Sequence, residues 1–403
     1  MDLQAFTEDS PGALVAISGT DAHHGQWRHA AFVPDPLSSE SPALTGATYR
    51  IVANARAALA ALDSTSRQLP NPRLFRRPSL QAEAQSTSAL EGTYAPLAEV
   101  LTADTERPPN VDLREIFNYV EAADAAFDRT TAGHPLTVGF LGELQAVLVT
   151  GTSNEHPSSG RVRGHRVVVG QRADAEPAEL PVRAARFIPP PPGIDLHANL
   201  QELLDWMSRG VANEKIDPVV AAAMAHYQFE SLHPFHDGNG RIGRLLIVVH
   251  LLQQRVLFEP TLTVSPWFEA RRTEYYDSLL RVSTEADWDS YVGFFARGLE
   301  ESAKRTRARM LALVDVQTDM KEAVRRSPLR ADTAHALVDF AVANISFTVR
   351  AVEGGLGVTY GRANTLVNQL VQLGLLAPLD DARGPARRFY APQVYDVLLA
   401  EET

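Results

Sequence analysis

The pattern of apolar and polar positions changes character several times along the chain. Residues 1–45 mix Gly, Pro, Ser and His with little periodicity and predict an irregular N-terminal arm. From Thr48 to Leu62 alanines and leucines recur at helical spacing, and similar spacing returns near 78–103, 111–129 and 137–149. Between Gly160 and Ile188 short valine-bearing runs flank a polar stretch that ends at Pro189–Pro192, so this interval predicts a small β-hairpin. From Leu196 to about Arg326 nearly every window reads as helix, with breaks at Leu232–Gly240 and Phe258–Pro266. Ser327-Pro328 stops the last long helix, because proline disfavours helix in the residue before it. Beyond it the pattern gives a helix, a short segment near 345–349, a helix near 348–354, a helix to about Leu373, two short runs about Asp380–Gly384 and a final helix. The expected fold class is mainly α: a helical bundle with a small β-hairpin, followed by a C-terminal winged-helix domain.

Composition narrows the chemistry. At 403 residues, 45% hydrophobic and 22% charged, the chain is long and apolar enough for two or three folded domains. It contains no cysteine, which removes disulfide frameworks, thiolate metal sites and thiol nucleophiles. No apolar run approaches the roughly 20 residues of a membrane span, and the start Met-Asp-Leu-Gln lacks the blocks of a signal peptide, so a cytoplasmic location is expected. With 38 basic and 49 acidic residues the net charge is −11, which gives nucleic acid or a lipid surface no global attraction. Residues 327–403 hold six basic and eight acidic side chains, so DNA binding by the winged helix is not favoured by charge, and a structural or protein-contact role stands beside it.

One segment concentrates reactive residue types: His233-Pro234-Phe235-His236-Asp237-Gly238-Asn239-Gly240-Arg241-Ile242-Gly243-Arg244, a turn between two apolar helices. Gly238 and Gly240 let backbone N–H groups turn inward, and the helix that follows adds orphan amides and a positive dipole end, together an anion cradle. Arg241 and Arg244 lie on one side of that helix start, where like charge is unfavourable unless an anion offsets it. Asp237 is a hard oxygen ligand suited to magnesium bridging phosphate oxygens. His233 is suited to take a proton from an attacking hydroxyl. The bland alternatives are a capping or core role for His233, a metal triad of His233, His236 and Asp237, and a merely solvated face for the arginines. His226 and His250, on apolar helices, read as satisfied core residues, and Tyr275 and Tyr276 as packing residues.

The segment resembles the hallmark of the Fic family, HxFx[DE]GNGRxxR, and matches it at every specified position. Ala225-His226-Tyr227-Gln228-Phe229-Glu230, Glu115-Ile116-Phe117-Asn118-Tyr119, Leu141-Gly142-Glu143-Leu144 and Glu274-Tyr275-Tyr276 are similar to the family's other helices, and Trp27 to Leu37 to the N-terminal extension of one subgroup. The resemblance implies a Fic-type bundle and the transfer of AMP from ATP to a Ser, Thr or Tyr hydroxyl of a target protein or of the enzyme itself. It makes His233 the general base and Asp237 the Mg2+ ligand; Gly238, Asn239 and Gly240 would hold the α and β phosphates, Arg241 the β-phosphate and Arg244 the γ-phosphate. Thr87-Ser88-Ala89-Leu90-Glu91-Gly92 resembles the family's inhibitory motif [ST]xxxE[GN], so Glu91 would pair with Arg244 and restrain the enzyme. Ser159–Gly170, returning at Ala185–Ile188, resembles the flap that holds the target by strand addition. The expected domains are an arm at 1–45, a helical extension with the inhibitory helix at 46–110, the Fic domain at 111–300, a linker helix at 301–328 and the winged helix at 329–403. Two alternatives stand beside AMP transfer: removal of AMP by the same site, and a DNA-binding regulator that only senses nucleotide. The sequence leaves dimerisation open.

Overall fold

In the computed structural model, residues 1–403 are described except 70, 106, 177, 210–214, 330, 380–386 and 401–403. The elements run β1 (Gly12–Asp21), β2 (Gly25–Pro34), α1 (Gly46–Gln68), α2 (Arg76–Glu91), α3 (Leu97–Thr102), α4 (Val111–Thr131), α5 (Val138–Val149), β3 (Val169–Gln171), α6 (Pro181–Ala184), β4 (Ala185–Phe187), α7 (Ile194–Arg209), α8 (Pro218–Leu232), α9 (Asn239–Gln253), α10 (Ser265–Glu269), α11 (Arg272–Glu285), α12 (Trp288–Arg325), α13 (Ala331–Ala343), β5 (Ser346–Thr348), α14 (Val349–Leu356), α15 (Tyr360–Gln372), β6 (Ala377–Pro378), β7 (Arg388–Tyr390) and α16 (Pro392–Leu399). The fold is mainly α, as expected. No helix among the described residues is long and apolar enough to cross a membrane.

Two compact units divide the chain, the first made of residues 1–60, 121–257 and 267–301. Helices α8 and α9 form its centre and are buried on nearly every face, as their unbroken apolar runs require. Helix α8 begins with Asp217 accepting the Val219 N–H at 2.8 Å and with Pro218 in its first turn. The two helices pack closely at Gly243, where a Cβ would stand 2.2 Å from Glu230 Oε1 and 3.2 Å from the Phe229 ring.

The N-terminal arm is not irregular. Strands β1 and β2 pair antiparallel from Gly12 opposite Pro34 to Asp21 opposite Gly25. Asp21 Oδ1 accepts the N–H groups of His23 and His24 at 2.9 and 3.0 Å, and Gly25 takes φ +69°, which closes the turn. The alternation was hidden because most of β1 faces solvent, the apolar neighbours Leu14 and Val15 included. Phe32 is fully buried, and Ile17 and Ala31 are buried against Met1, Leu180, Val182, Ala185 and Ile188, partners far away in sequence. The expected flap hairpin is present, but its ladder is short, with Val169 opposite Phe187 and Gln171 opposite Ala185.

The second unit comprises residues 61–120, 258–266 and 302–403. In it α2 buries Leu80, Ala84, Ala89 and Leu90 and ends at Gly92, whose φ of +100° lets its N–H reach the Ala89 carbonyl while Thr93 N–H reaches Ser88. Glu83, also buried, ties α2 to the 258–266 segment by accepting from Val264 N–H at 2.8 Å, Ser265 N–H at 3.0 Å and Ser265 Oγ at 2.5 Å. The C-terminal region sets α13, α14 and α15 with an antiparallel sheet of order β5-β7-β6. Phe347 and Phe389 are buried there, and the Phe340 and Phe347 rings meet edge to face at 5.4 Å. For the two short runs expected about Asp380–Gly384, β6 and β7 stand on either side of that segment, which itself lies outside the described residues.

Candidate functional site

Helix α8 ends on His233, which takes left-handed φ 46° and ψ 59°, and its N–H donates to the Phe229 carbonyl at 3.0 Å. A non-glycine residue in that region stores strain of about 1–3 kcal/mol and persists only where its surroundings hold it. Phe235, fully buried, anchors the turn in the core. Asn239 closes it with a reciprocal clasp: its Oδ1 accepts the Phe235 N–H at 2.8 Å and its Nδ2 donates to the Phe235 carbonyl at 2.9 Å. The Asn239 side chain is therefore engaged inside the turn.

Helix α9 opens on Gly238, φ +81°, with no side-chain cap. The first N–H groups of a helix have no intrahelical acceptor, so at this start they are available to an anion. Arg241 and Arg244 are each 1% exposed, which rules out a solvated face. Burying two guanidinium groups at the positive end of a helix is costly without anionic company. Part of that company is internal, since Arg241 Nη2 donates to Asp237 Oδ2 at 2.7 Å. Asp237 keeps 32% of its side chain exposed and also accepts from Asn154 Nδ2 at 3.3 Å.

The remaining histidines sort themselves by partner. His226 is buried between Gly243 O at 3.0 Å and Tyr275 Oη at 2.7 Å, and burial pushes its pKa down to about 3. It is a satisfied core residue, as expected, and Tyr275 is fully buried beside it. His250 is not satisfied: neither ring nitrogen has a hydrogen-bond partner. Its ring instead stacks on Trp206 at 6.4 Å, and burial lowers its pKa to about 4; stacking on the indole takes the place of the hydrogen bonds expected from its helix. His236 Nδ1 faces His165 Nε2 at 2.8 Å. Among the described residues no three His, Asp or Glu side chains are arranged to hold a metal ion, so the triad of His233, His236 and Asp237 falls.

Two residues that sequence reasoning missed brace this turn. Gln145 on α5 is buried; its Oε1 accepts the Gly160 N–H at 2.6 Å and its Nε2 donates to the Asp237 carbonyl at 3.3 Å. Arg163, at the flap root, donates from Nε to the His233 carbonyl at 2.8 Å. Both act on backbone carbonyls, which leave no signature in side-chain spacing. The structure thus gathers His233, Asp237, Gly238, Asn239, Gly240, Arg241 and Arg244 on one turn of the first unit. Glu91 is the exposed last residue of α2 in the second unit, a carboxylate at the negative pole of its helix, the less favourable end.

Comparison with known proteins bears on the same segments. Residues 49–128 match the model of the Fic/DOC family N-terminal domain and residues 135–251 that of the Fic/DOC family. Protein adenylyltransferase fic-1 of Caenorhabditis elegans is 34% identical over 144 residues, 35% of this chain and 27% of that protein. Protein adenylyltransferase Fic of Drosophila willistoni is 33% identical over 141 residues, 34% of this chain and 26% of that protein. The chain thus matches about a quarter of the length of these curated relatives. The crystal structure of a Fic family protein from Desulfovibrio desulfuricans G20 shares the fold at a TM-score of 0.53 and 23% identity, over 87% of this chain and 98% of that one. Residues 49–128 and 135–251 thus match, in order, the two domain models of the Fic/DOC family, and the complete motif turn lies inside the second.

Proposed function

We propose that the chain transfers AMP from ATP to a hydroxyl side chain of a protein, itself or a target, with His233 as general base. The observation that carries this reading is a single turn in which a C-capping histidine is followed by an uncapped helix start and two buried arginines. The substrate hydroxyl oxygen attacks the α-phosphorus while its proton passes to the His233 imidazole. The bond to the β-phosphate oxygen breaks, and its electron pair leaves with pyrophosphate. Backbone N–H groups from Gly238 to Arg241 and the two guanidinium groups hold the phosphates, since this chemistry is mostly positioning and charge stabilisation.

Asp237 suits Mg2+, which binds one or two carboxylates plus phosphate oxygens and water rather than an all-protein cage. When bound, the ion neutralises charge on the phosphates. Asp237 would hold the ion, and Arg241, its ion-pair partner, would face the nucleotide phosphates. Glu91 restrains the reaction by pairing with Arg244 where the γ-phosphate would bind. Support comes from the opposed poles: a carboxylate at the negative end of α2 and guanidinium groups at the positive end of α9 are each unfavourable alone and complementary together. The C-terminal helices and sheet act as a winged-helix module for protein contact, in keeping with the acidic balance of residues 327–403.

Incubation with α-labelled ATP and Mg2+, followed by mass spectrometry for AMP on any peptide, tests the reading. Covalent AMP that disappears in His233→Ala supports it, and undiminished labelling in that variant removes His233 from the mechanism. Release of AMP from a pre-modified protein without ATP would show the reverse direction instead. Saturable, salt-dependent duplex binding without covalent AMP would favour the nucleotide-sensing regulator.

A further inference from the structure

The Arg163 side chain is 2% exposed, yet every hydrogen bond it makes goes to a backbone carbonyl. Nε donates to His233 O at 2.8 Å, Nη1 to His165 O at 3.1 Å, and Nη2 to Pro190 O at 2.6 Å and Leu232 O at 3.4 Å. Its own N–H donates to Pro234 O at 2.9 Å. One residue therefore takes the carbonyls of Leu232, His233 and Pro234 in succession. A buried guanidinium without a carboxylate is expensive, and burial lowers its pKa to about 10, which still leaves it charged at neutral pH. What it offsets is local: the last carbonyls of a helix are orphans, α8 ends in a strained left-handed residue, and a cation at a helix C-terminus is favourable.

We propose that Arg163 is the positioning residue for His233: by fixing the carbonyls on both sides of it, Arg163 sets the left-handed backbone that aims the imidazole. It also ties the base to the flap, because the same side chain holds His165 O within the flap and Pro190 O just beyond the flap's return strand. The proposal rests on the AMP-transfer reading for its rate effect but not for its geometry. The phosphate side of the turn has its own braces, the Asn239–Phe235 clasp and the Gln145 bond to Asp237 O, so loss of Arg163 should leave nucleotide binding intact. A misplacement of about 1 Å in a catalytic group costs on the order of 100-fold in rate. A lysine reaches one or two of these carbonyls but cannot reproduce the planar fork.

The experiment compares Arg163→Gln and Arg163→Lys with the wild type in the full chain, reading labelling rate, ATP affinity by calorimetry and the His233 imidazole resonance in protein with 13C-labelled histidine, assigned by His233→Ala. The expected result is a kcat lower by about 100-fold in the glutamine variant and about 10-fold in the lysine variant, with ATP affinity within twofold of wild type and a displaced His233 resonance in both. Parallel loss of ATP affinity and melting temperature, with kcat per folded molecule unchanged, would reduce Arg163 to a general structural role and overturn the proposal. An unmoved His233 resonance would overturn it whatever the activity. If the wild type transfers no AMP, the transfer reading fails, while the resonance still decides the geometry.

Discussion

Helix α9, in the motif turn, and helix α15, in the C-terminal region, begin in opposite ways. Helix α15 is self-sufficient: Thr359 caps it by accepting the Arg362 N–H, Thr365 Oγ1 donates to Gly361 O at 2.9 Å, and Asn368 Nδ2 donates to Asn364 O at 2.8 Å. Two of its exposed polar side chains, Thr365 and Asn368, are thus spent on its own backbone. Helix α9 has a glycine where a cap would be and buries two arginines in its first turns. The contrast teaches that a helix start without a side-chain cap keeps its first N–H groups out of local caps, whereas a capped start spends one of them on its own sequence.

The largest effect that could break this contrast is loss of the base. His233→Ala should lower labelling from α-labelled ATP by about 10²–10⁴-fold, while Arg362→Ala in α15 should stay within twofold of wild type. An equal loss in both would place α15 in the reaction. Next comes release of restraint: Glu91→Gly should raise autolabelling about tenfold, the equivalent of about 1.4 kcal/mol, and the added Arg244→Ala change should remove the gain. An unchanged rate in a folded, ATP-binding Glu91→Gly protein would make Glu91 a surface residue.

Acid should act on α8 and α9 before it acts on α15, which carries no histidine. His226 and His250 are buried with pKa values lowered to about 3 and about 4, so folding favours their neutral forms. A base with a depressed folded pKa contributes stability that is full above its unfolded value of about 6.5 and is lost as pH falls toward the folded value. At pH 4.5 His250 alone should cost about 2–3 kcal/mol relative to pH 7. Thermal melts of wild type and His250→Leu across that range check it, because the variant should show a shallower decline, and parallel curves would refute the assignment. The smallest effect is at the self-capped helix itself. Thr359→Ala should cost about 1 kcal/mol without changing labelling.

Legibility in the sequence followed the kind of interaction involved. The turn from His233 to Arg244 could be read because its function demands residue types, glycines and guanidinium groups, that are conspicuous at fixed spacing. The end of α2 was missed: the helical spacing near 78–103 runs through Gly92, whose φ of +100° ends α2 at Glu91, so that α3 begins separately at Leu97. The β1–β2 hairpin could not be read, because its apolar face is completed by Met1, Leu180 and Ile188, whose proximity exists only after folding. Arg163 and Gln145 escaped for a related reason. Their partners are carbonyl oxygens, which every residue carries, and only the tertiary path of the chain decides which ones gather around them.

Gly243 occupies one of the motif's wildcard positions, between two arginines that the motif names. Its neighbourhood narrows that freedom, since a Cβ there would press the Phe229 ring and fit only if the Glu230 carboxylate shifts. In a library sampling all residues at 242 and 243, position 243 should be as intolerant as the named positions on either side. The vocabulary permitted at a wildcard is thus set in part by the partner helix, and in this protein a larger residue at 243 should be accepted more readily where position 230 is smaller.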